Sequence, residues 1–257
     1  MGTDAESGGI TSEGVNIMSI INNVIHGECI EVMRGMEAES VDLVLTDPPY
    51  GIDFDSNRST DTVYRKANKS VDGILNDGKD NSGFLSDVID ELNRVMKDDS
   101  HIYWFTRWDK VPEQLPLLER YFNVKNAIIW KKNNWSMGDL QGAYAGQYEV
   151  ILFAQKGRRI LNEVDGKRRH PDILSYDRIP PTRLRHSHEK PEELIEFLMR
   201  KSSDVGEVVL DPFAGSGTTA AVAKRLGRDF ITIELDEDYV GITRERVSNT
   251  CEGQAKQ

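Results

Sequence analysis

At 257 residues the chain is long enough to bury the core of one α/β domain, and its 32 basic and 43 acidic side chains give a net charge of −11, which on average speaks against a polyanion binder. It shows no apolar run of membrane-spanning length and no leader with a cleavage site, so a cytoplasmic protein with no membrane contact is expected. Cys29 and Cys251 lie at opposite ends, with no Cys or His at ligand spacing, which argues against a metal site and predicts two free thiols.

Residues 1–17 are polar and glycine-rich and read as a disordered tail, with Met18 a possible natural start and a single catalytic domain over 18–257. Strands are predicted at 21–25, 41–46, 101–106, 125–130, 148–154, 207–211 and 229–234. Several are near-continuous apolar runs, the mark of a sheet covered on both faces. Helices are predicted at 84–97, where Phe84, Leu85, Val88, Ile89, Leu92, Val95 and Met96 share a face, and at 191–202, which opens on Pro191. Two more are expected at about 218–226 and 237–248. This alternation implies a doubly wound, mostly parallel, seven-stranded Rossmann-like α/β sheet, with no internal repeat.

Charge is unevenly spread. Between Lys156 and Lys190 lie ten basic and five acidic residues, a net +5, leaving −16 for the rest. The segment has little helical or strand period and leads into Pro180-Pro181. It reads either as a solvated surface or as a loop-built face for phosphate, formed by Lys156, Arg158, Arg159, Lys167, Arg168, Arg169, Arg178, Arg183 and Arg185. The loop 51–83, with Tyr64, Arg65, Lys66 and Lys69, is long for a compact domain and reads equally as a lid or as an insertion. Trp135 reads as packing more readily than as a wedge into a duplex.

Two motifs carry the chemistry. The strand-like run 41–46 leads into Asp47-Pro48-Pro49-Tyr50, a carboxylate and an aromatic held in a stiffened backbone. Near the other end, a strand closing at Asp211 runs through Phe213-Ala214-Gly215-Ser216-Gly217 into a helix at Thr218. Small residues there let a ligand meet bare backbone at a helix N-terminus. The third glycine of a dinucleotide fingerprint is missing, which disfavours pyrophosphate. The next strand ends in Glu234, where a carboxylate can hold ribose hydroxyls. All three places follow the carboxyl ends of predicted strands, where open α/β sheets bind ligands, so one crevice is expected to hold them.

These motifs, in this order and with the basic segment between them, resemble the β class of amino DNA methyltransferases. The similarity runs from about Asn22 to Val247 and includes "GECIEVM", "IIWKKNN", "YEVILFAQKG" and "HEKP". It implies S-adenosylmethionine as cofactor, held by Glu28, Cys29, Asp47, Lys190, Asp211, Phe213 to Thr218 and Glu234, with Glu28 standing where Asp is commoner. It implies double-stranded DNA as substrate, recognised through about 156–187, and often a homodimer. The four residues Asp47, Pro48, Pro49 and Tyr50 would be catalytic. An exocyclic amine is a poor nucleophile because its lone pair is delocalised into the ring; two acceptors, the Asp47 carboxylate and the Pro48 carbonyl, would draw its N–H bonds out of plane. Tyr50 would stack on the extruded base. The Asp form resembles N6-adenine enzymes, so adenine is the expected target. N4-cytosine methylation, a catalytically silent binding subunit and a nicotinamide oxidoreductase on the same fold class stand as alternatives.

Overall fold

The computed structural model describes residues 20–50, 81–135, 140–180, 182, 184 and 189–253. The expected tail at 1–17, the loop residues Tyr64, Arg65, Lys66 and Lys69, and the basic residues Arg183 and Arg185 lie outside them.

The described chain forms β1 (Asn23–His26), α1 (Cys29–Arg34), β2 (Val41–Thr46), α2 (Ser82–Val95), β3 (Met96–Thr106), α3 (Val111–Leu118), β4 (Asn123–Lys131), β5 (Tyr148–Lys156), β6 (Ile173–Ser175), α4 (Glu192–Ser202), β7 (Val208–Asp211), α5 (Thr218–Arg225), β8 (Asp229–Glu234) and α6 (Glu237–Ser248). One sheet joins all the strands in the order β1-β8-β7-β2-β3-β5-β4-β6. Only β5 runs against its neighbours.

The sheet has eight strands where seven were expected. The extra one, β6, is three residues long and exists by pairing in register with β4, Ile129 beside Ile173, a long-range contact with no local pattern. Helix α2 ends two residues early because Met96 is already extended (φ −71°, ψ 136°) and starts β3. Neither α1 nor α3 was expected. The first is six residues long, too short for a period, and the second contains Pro116, which reads as a breaker.

Alternation along the central strands builds two apolar layers. Ile102 and Trp104 of β3 point towards Leu85, Val88, Ile89 and Leu92 of α2, while Tyr103 and Phe105 point towards Leu194, Ile195, Leu198 and Met199 of α4. Every residue of β2 is buried, including Asp42. That carboxylate is tolerated because Lys97 Nζ lies 2.8 Å away and the Val208 N–H donates to it at 2.9 Å. Among the described residues no helix is long and apolar enough to cross a membrane. Both cysteines are unpaired, Cys29 buried and Cys251 exposed.

The topology fixes where a ligand can enter. Strands β2 and β7 are neighbours, yet from β2 the chain proceeds to β3 on one side and from β7 to β8 on the other. Helices α2 and α5 cover opposite faces of the sheet. A crevice therefore opens outside the carboxyl ends of β2 and β7.

Candidate active site

A cleft enclosing about 480 Å³, counting the part open to solvent, occupies this crevice. Its wall includes Asp47 and Lys190 on one side and Asp211 with Gly215, Ser216 and Thr218 on the other. The first and second sequence motifs thus share one cleft. Thr46 Oγ1 fastens them, donating to Asp211 Oδ1 at 3.1 Å.

The proline pair carries Asp47 straight out of β2. Tyr50 Oη donates to Asp47 Oδ1, and Asn81 Nδ2 donates to the Pro49 carbonyl at 2.7 Å, so the turn is braced from α2. Burial, followed by the Asp47 and Glu149 charges, pushes the Tyr50 phenol well above its usual pKa, and it stays a donor. Lys190 Nζ lies 2.5 Å from Asp47 Oδ2 and 3.2 Å from Glu149 Oε2. Lys132 Nζ closes on the other Glu149 oxygen at 2.5 Å. Burial opposes all these charges, but the mutual pairing outweighs it: Lys190 is raised and Glu149 lowered from their ordinary values. Sequence reading placed Lys190 at the cofactor; the structure places its ammonium on Asp47.

On the second wall, Gly217 has φ 74° and a Cβ there would meet Thr243 Cγ2 at 2.5 Å, so only glycine fits. Gly215 has φ 51° and open space where its Cβ would be, leaving bare backbone facing the cleft. Thr243 Oγ1 donates to the Gly215 carbonyl at 2.9 Å. Glu234 accepts the Gly215 N–H at 2.7 Å and those of Leu235 and Asp236 at 2.9 Å each. Three of its roughly four acceptor sites are thereby engaged in shaping the turn. Glu28 caps α1 through the Glu31 N–H at 3.0 Å and accepts from Cys29 Sγ at 3.3 Å; Cys29 itself is buried and its thiol pKa is raised by that burial. Asp211 is buried, which pushes its pKa up to about 7 against hydrogen bonds from Thr219, Phe213 N–H and Thr46.

Sequence reading missed Arg246. It is 6% exposed, and its guanidinium bridges Glu189 (2.7 Å) and Glu192 (2.6 Å) to the Ser216 carbonyl (3.1 Å) and Thr218 Oγ1 (2.9 Å). One arginine from α6 ties the glycine turn to the segment that bears Lys190. Glu149 and Lys132 were missed too. Lys132 and Glu149 fall within the quoted segments "IIWKKNN" and "YEVILFAQKG" but were given no role there, and Arg246 lies in no quoted motif.

The expected basic face divides. Lys156 donates to the carbonyls of Asn93 (2.9 Å) and Met96 (2.8 Å), and Arg159 pairs with Glu207 at 2.6 Å, all at the amino ends of the parallel strands. The Arg158 N–H meets Asp99 there at 2.5 Å, and the carbonyl of Arg168 is held by Lys201 at 2.6 Å, so Lys167, Arg168 and Arg169 lie by the far end of α4. Antiparallel β5 carries the chain away from the cleft before the basic run begins, so its first residues lie at the opposite end of the sheet. Only after β6 does the chain return, with Arg178 N–H bonded to Asn133 Oδ1 at 3.2 Å beyond the end of β4. Trp135, read as packing, is instead 68% exposed on that same side.

The family model for N6/N4 DNA methylases matches residues 41–245. The chain belongs to this DNA methylase family. This DNA methylase is 29% identical to DNA adenine methyltransferase YhdJ of Escherichia coli (strain K12), over 87% of its own chain and 82% of the relative's. It is 26% identical to the Type II methyltransferase M.HinfI of Haemophilus influenzae, over 90% and 70%. Among solved structures, TTHA0409 of Thermus thermophilus, complexed with S-adenosyl-L-methionine, matches it with TM-score 0.63 at 23% identity, over 91% of this chain and 99% of that one. The last likeness is one of fold.

Proposed function

We propose that this DNA methylase transfers a methyl group from S-adenosylmethionine to the N6 amino group of an adenine extruded from duplex DNA. The observation that carries the reading is the shared cleft: a carboxylate on a proline-stiffened turn faces a glycine turn across one cavity. The cofactor fits the chemistry of the second wall, where bare backbone at Gly215 and the partly ionised Asp211 suit a nucleoside that also bears positive charge. When bound, S-adenosylmethionine supplies a methyl group on a sulfonium, and loss of that methyl leaves a neutral thioether.

The chain's own residues do the rest. Asp47 and the Pro48 carbonyl accept the two N–H bonds of the amine and turn its lone pair out of the ring plane. Asp47 then offsets the positive charge that grows on the nitrogen, which sheds its proton easily once alkylated. Tyr50 fixes the carboxylate and offers a ring beside the base. A base stacked in a duplex cannot reach this depth, so extrusion precedes transfer, costing a few kcal/mol of unstacking. The name of the relative YhdJ favours adenine; cytosine N4 would meet the same acceptors. Digesting treated duplex to nucleosides and weighing them decides: N6-methyldeoxyadenosine is expected, N4-methyldeoxycytidine would replace the base, and unmodified DNA would overturn the reading.

Cofactor affinity should depend on pH through Asp211. With its pKa near 7 in the free protein, a cationic ligand favours the ionised form, so affinity rises as pH climbs from 6 towards 8 and levels off above. Below the pKa the loss is up to about tenfold per pH unit. Titration calorimetry at several pH values checks this, and Asp211→Asn should flatten the dependence; a slope that survives in the variant would assign it elsewhere.

DNA contacts should follow the divided basic segment. Arg178→Ala is expected to weaken duplex binding and to reduce the slope of log K against log salt by about 1, the share of one phosphate. Arg158→Ala, at the other end of the sheet, should leave both unchanged. Fluorescence anisotropy across a salt series separates them, and equal effects would restore a continuous face.

A further inference from the structure

Lys190 stands between two carboxylates from different strands. Its ammonium is 2.5 Å from Asp47, which follows β2, and 3.2 Å from Glu149, which lies on β5. Glu149 is anchored on its far side by Lys132, whose ammonium in turn sits 4.8 Å above the Trp130 ring. Lys190 is 7% exposed and lies 5.2 Å from the Phe105 ring centroid, an apolar floor that favours a cation in either position. The four charges alternate in sign across the carboxyl ends of β2 and β4 and the amino end of antiparallel β5. Of the three groups at the inner end, the two carboxylates are braced, Asp47 by prolines and Tyr50, Glu149 by Lys132. The lysine stem, with several rotatable bonds and three donors, is the adjustable member.

That arrangement conflicts with catalysis as it stands. The Asp47 oxygens are engaged by Tyr50 and by Lys190, and an ammonium in contact with Asp47 offsets the negative charge that an alkylated nitrogen would need. We propose that Lys190 is a positioning residue that holds Asp47 while the base pocket is empty and passes to Glu149 when the target amine takes its place. Glu149 thereby sets how much of the Asp47 charge reaches the reacting nitrogen. The ammonium keeps its proton throughout, and no bond is made or broken. This inference rests on the methyl-transfer reading above and deepens it.

The test uses the full chain, S-adenosylmethionine and a duplex carrying the methylatable site, under single turnover, with 2-aminopurine fluorescence reporting extrusion in a parallel duplex. Glu149→Gln, which is isosteric but uncharged, should slow methyl transfer by roughly 10–100-fold, with cofactor affinity and the 2-aminopurine signal retained. Glu149→Asp should recover part of the rate. The decisive comparison is made in a Lys190→Gln background, where Glu149→Gln should have no further effect because there is no ammonium left to receive. A purely structural role would instead give additive losses in the two backgrounds, together with weakened cofactor binding, and would overturn the proposal. A wild-type rate in Glu149→Gln would overturn it as well. Absence of methyl transfer by the wild-type chain would sink the methyl-transfer reading beneath it, a result distinct from either.

Discussion

Asp47→Asn is expected to lower the single-turnover rate by about two to four orders of magnitude while leaving S-adenosylmethionine affinity close to that of the wild type. The change preserves volume and one carbonyl oxygen, so the Tyr50 hydroxyl keeps an acceptor. It removes the charge. It also turns an amide NH₂ towards whatever occupied the second carboxylate oxygen, which in the free protein is the Lys190 ammonium. Donor then faces donor, and Lys190 retains Glu149 as its counterion, so the fold should survive with a cost on the order of 1–3 kcal/mol. In the complex the target amine meets a single acceptor with no charge behind it. Lone-pair orientation and charge stabilisation fail together, which is why the expected loss exceeds that of any single hydrogen bond. Quenched-flow methyl transfer gives the rate, calorimetry gives cofactor affinity, and thermal melting checks the fold. Turnover at the wild-type level would remove Asp47 from the mechanism.

Local patterns carried the central elements of the fold well. Residues 41–46 and 229–234 were legible as strands because each is a compact apolar run ended by a polar break, and 237–248 as a helix because strands and helices alternate; in the structure Asp236 caps it through the Asp238 and Tyr239 N–H groups. The two walls of the cleft were legible for a similar reason: proline and glycine write backbone geometry directly into sequence. What was not legible is how the walls are joined. Arg246 meets Glu189 across 57 positions, and Lys190 meets Asp47 across 143; such pairs have no spacing to read. Charge counting is blind to such pairing for the same cause. Lys156 and Arg159 look available in a list, yet each is committed to partners brought near only by the sheet. Glu234 shows a subtler limit, since a carboxylate after a strand was read as a ligand for ribose, whereas three backbone N–H groups already converge on it.

Those unread connections make the second large effect predictable. Arg246→Met keeps the apolar stem of the side chain but strips the cation from Glu189, whose side chain is only 3% exposed. Glu192 still has Arg225, so the burden falls on Glu189. Breaking a buried ion pair by removing one partner costs about 3–5 kcal/mol, or a fall in melting temperature of about 6–20 °C for a chain of this size. Cofactor affinity should fall at least about tenfold in addition, because the same guanidinium holds Ser216 and Thr218 against the segment that carries Lys190 and so sets the width of the cleft. Stability and binding can be separated. Adding Glu189→Gln to Arg246→Met removes the carboxylate that has lost its guanidinium and should return most of the lost melting temperature. It does not rebuild the bridge, so the affinity should stay low. If the double variant recovers both together, the bridge has no part in shaping the cleft, and the loss in Arg246→Met was only that of a broken buried ion pair.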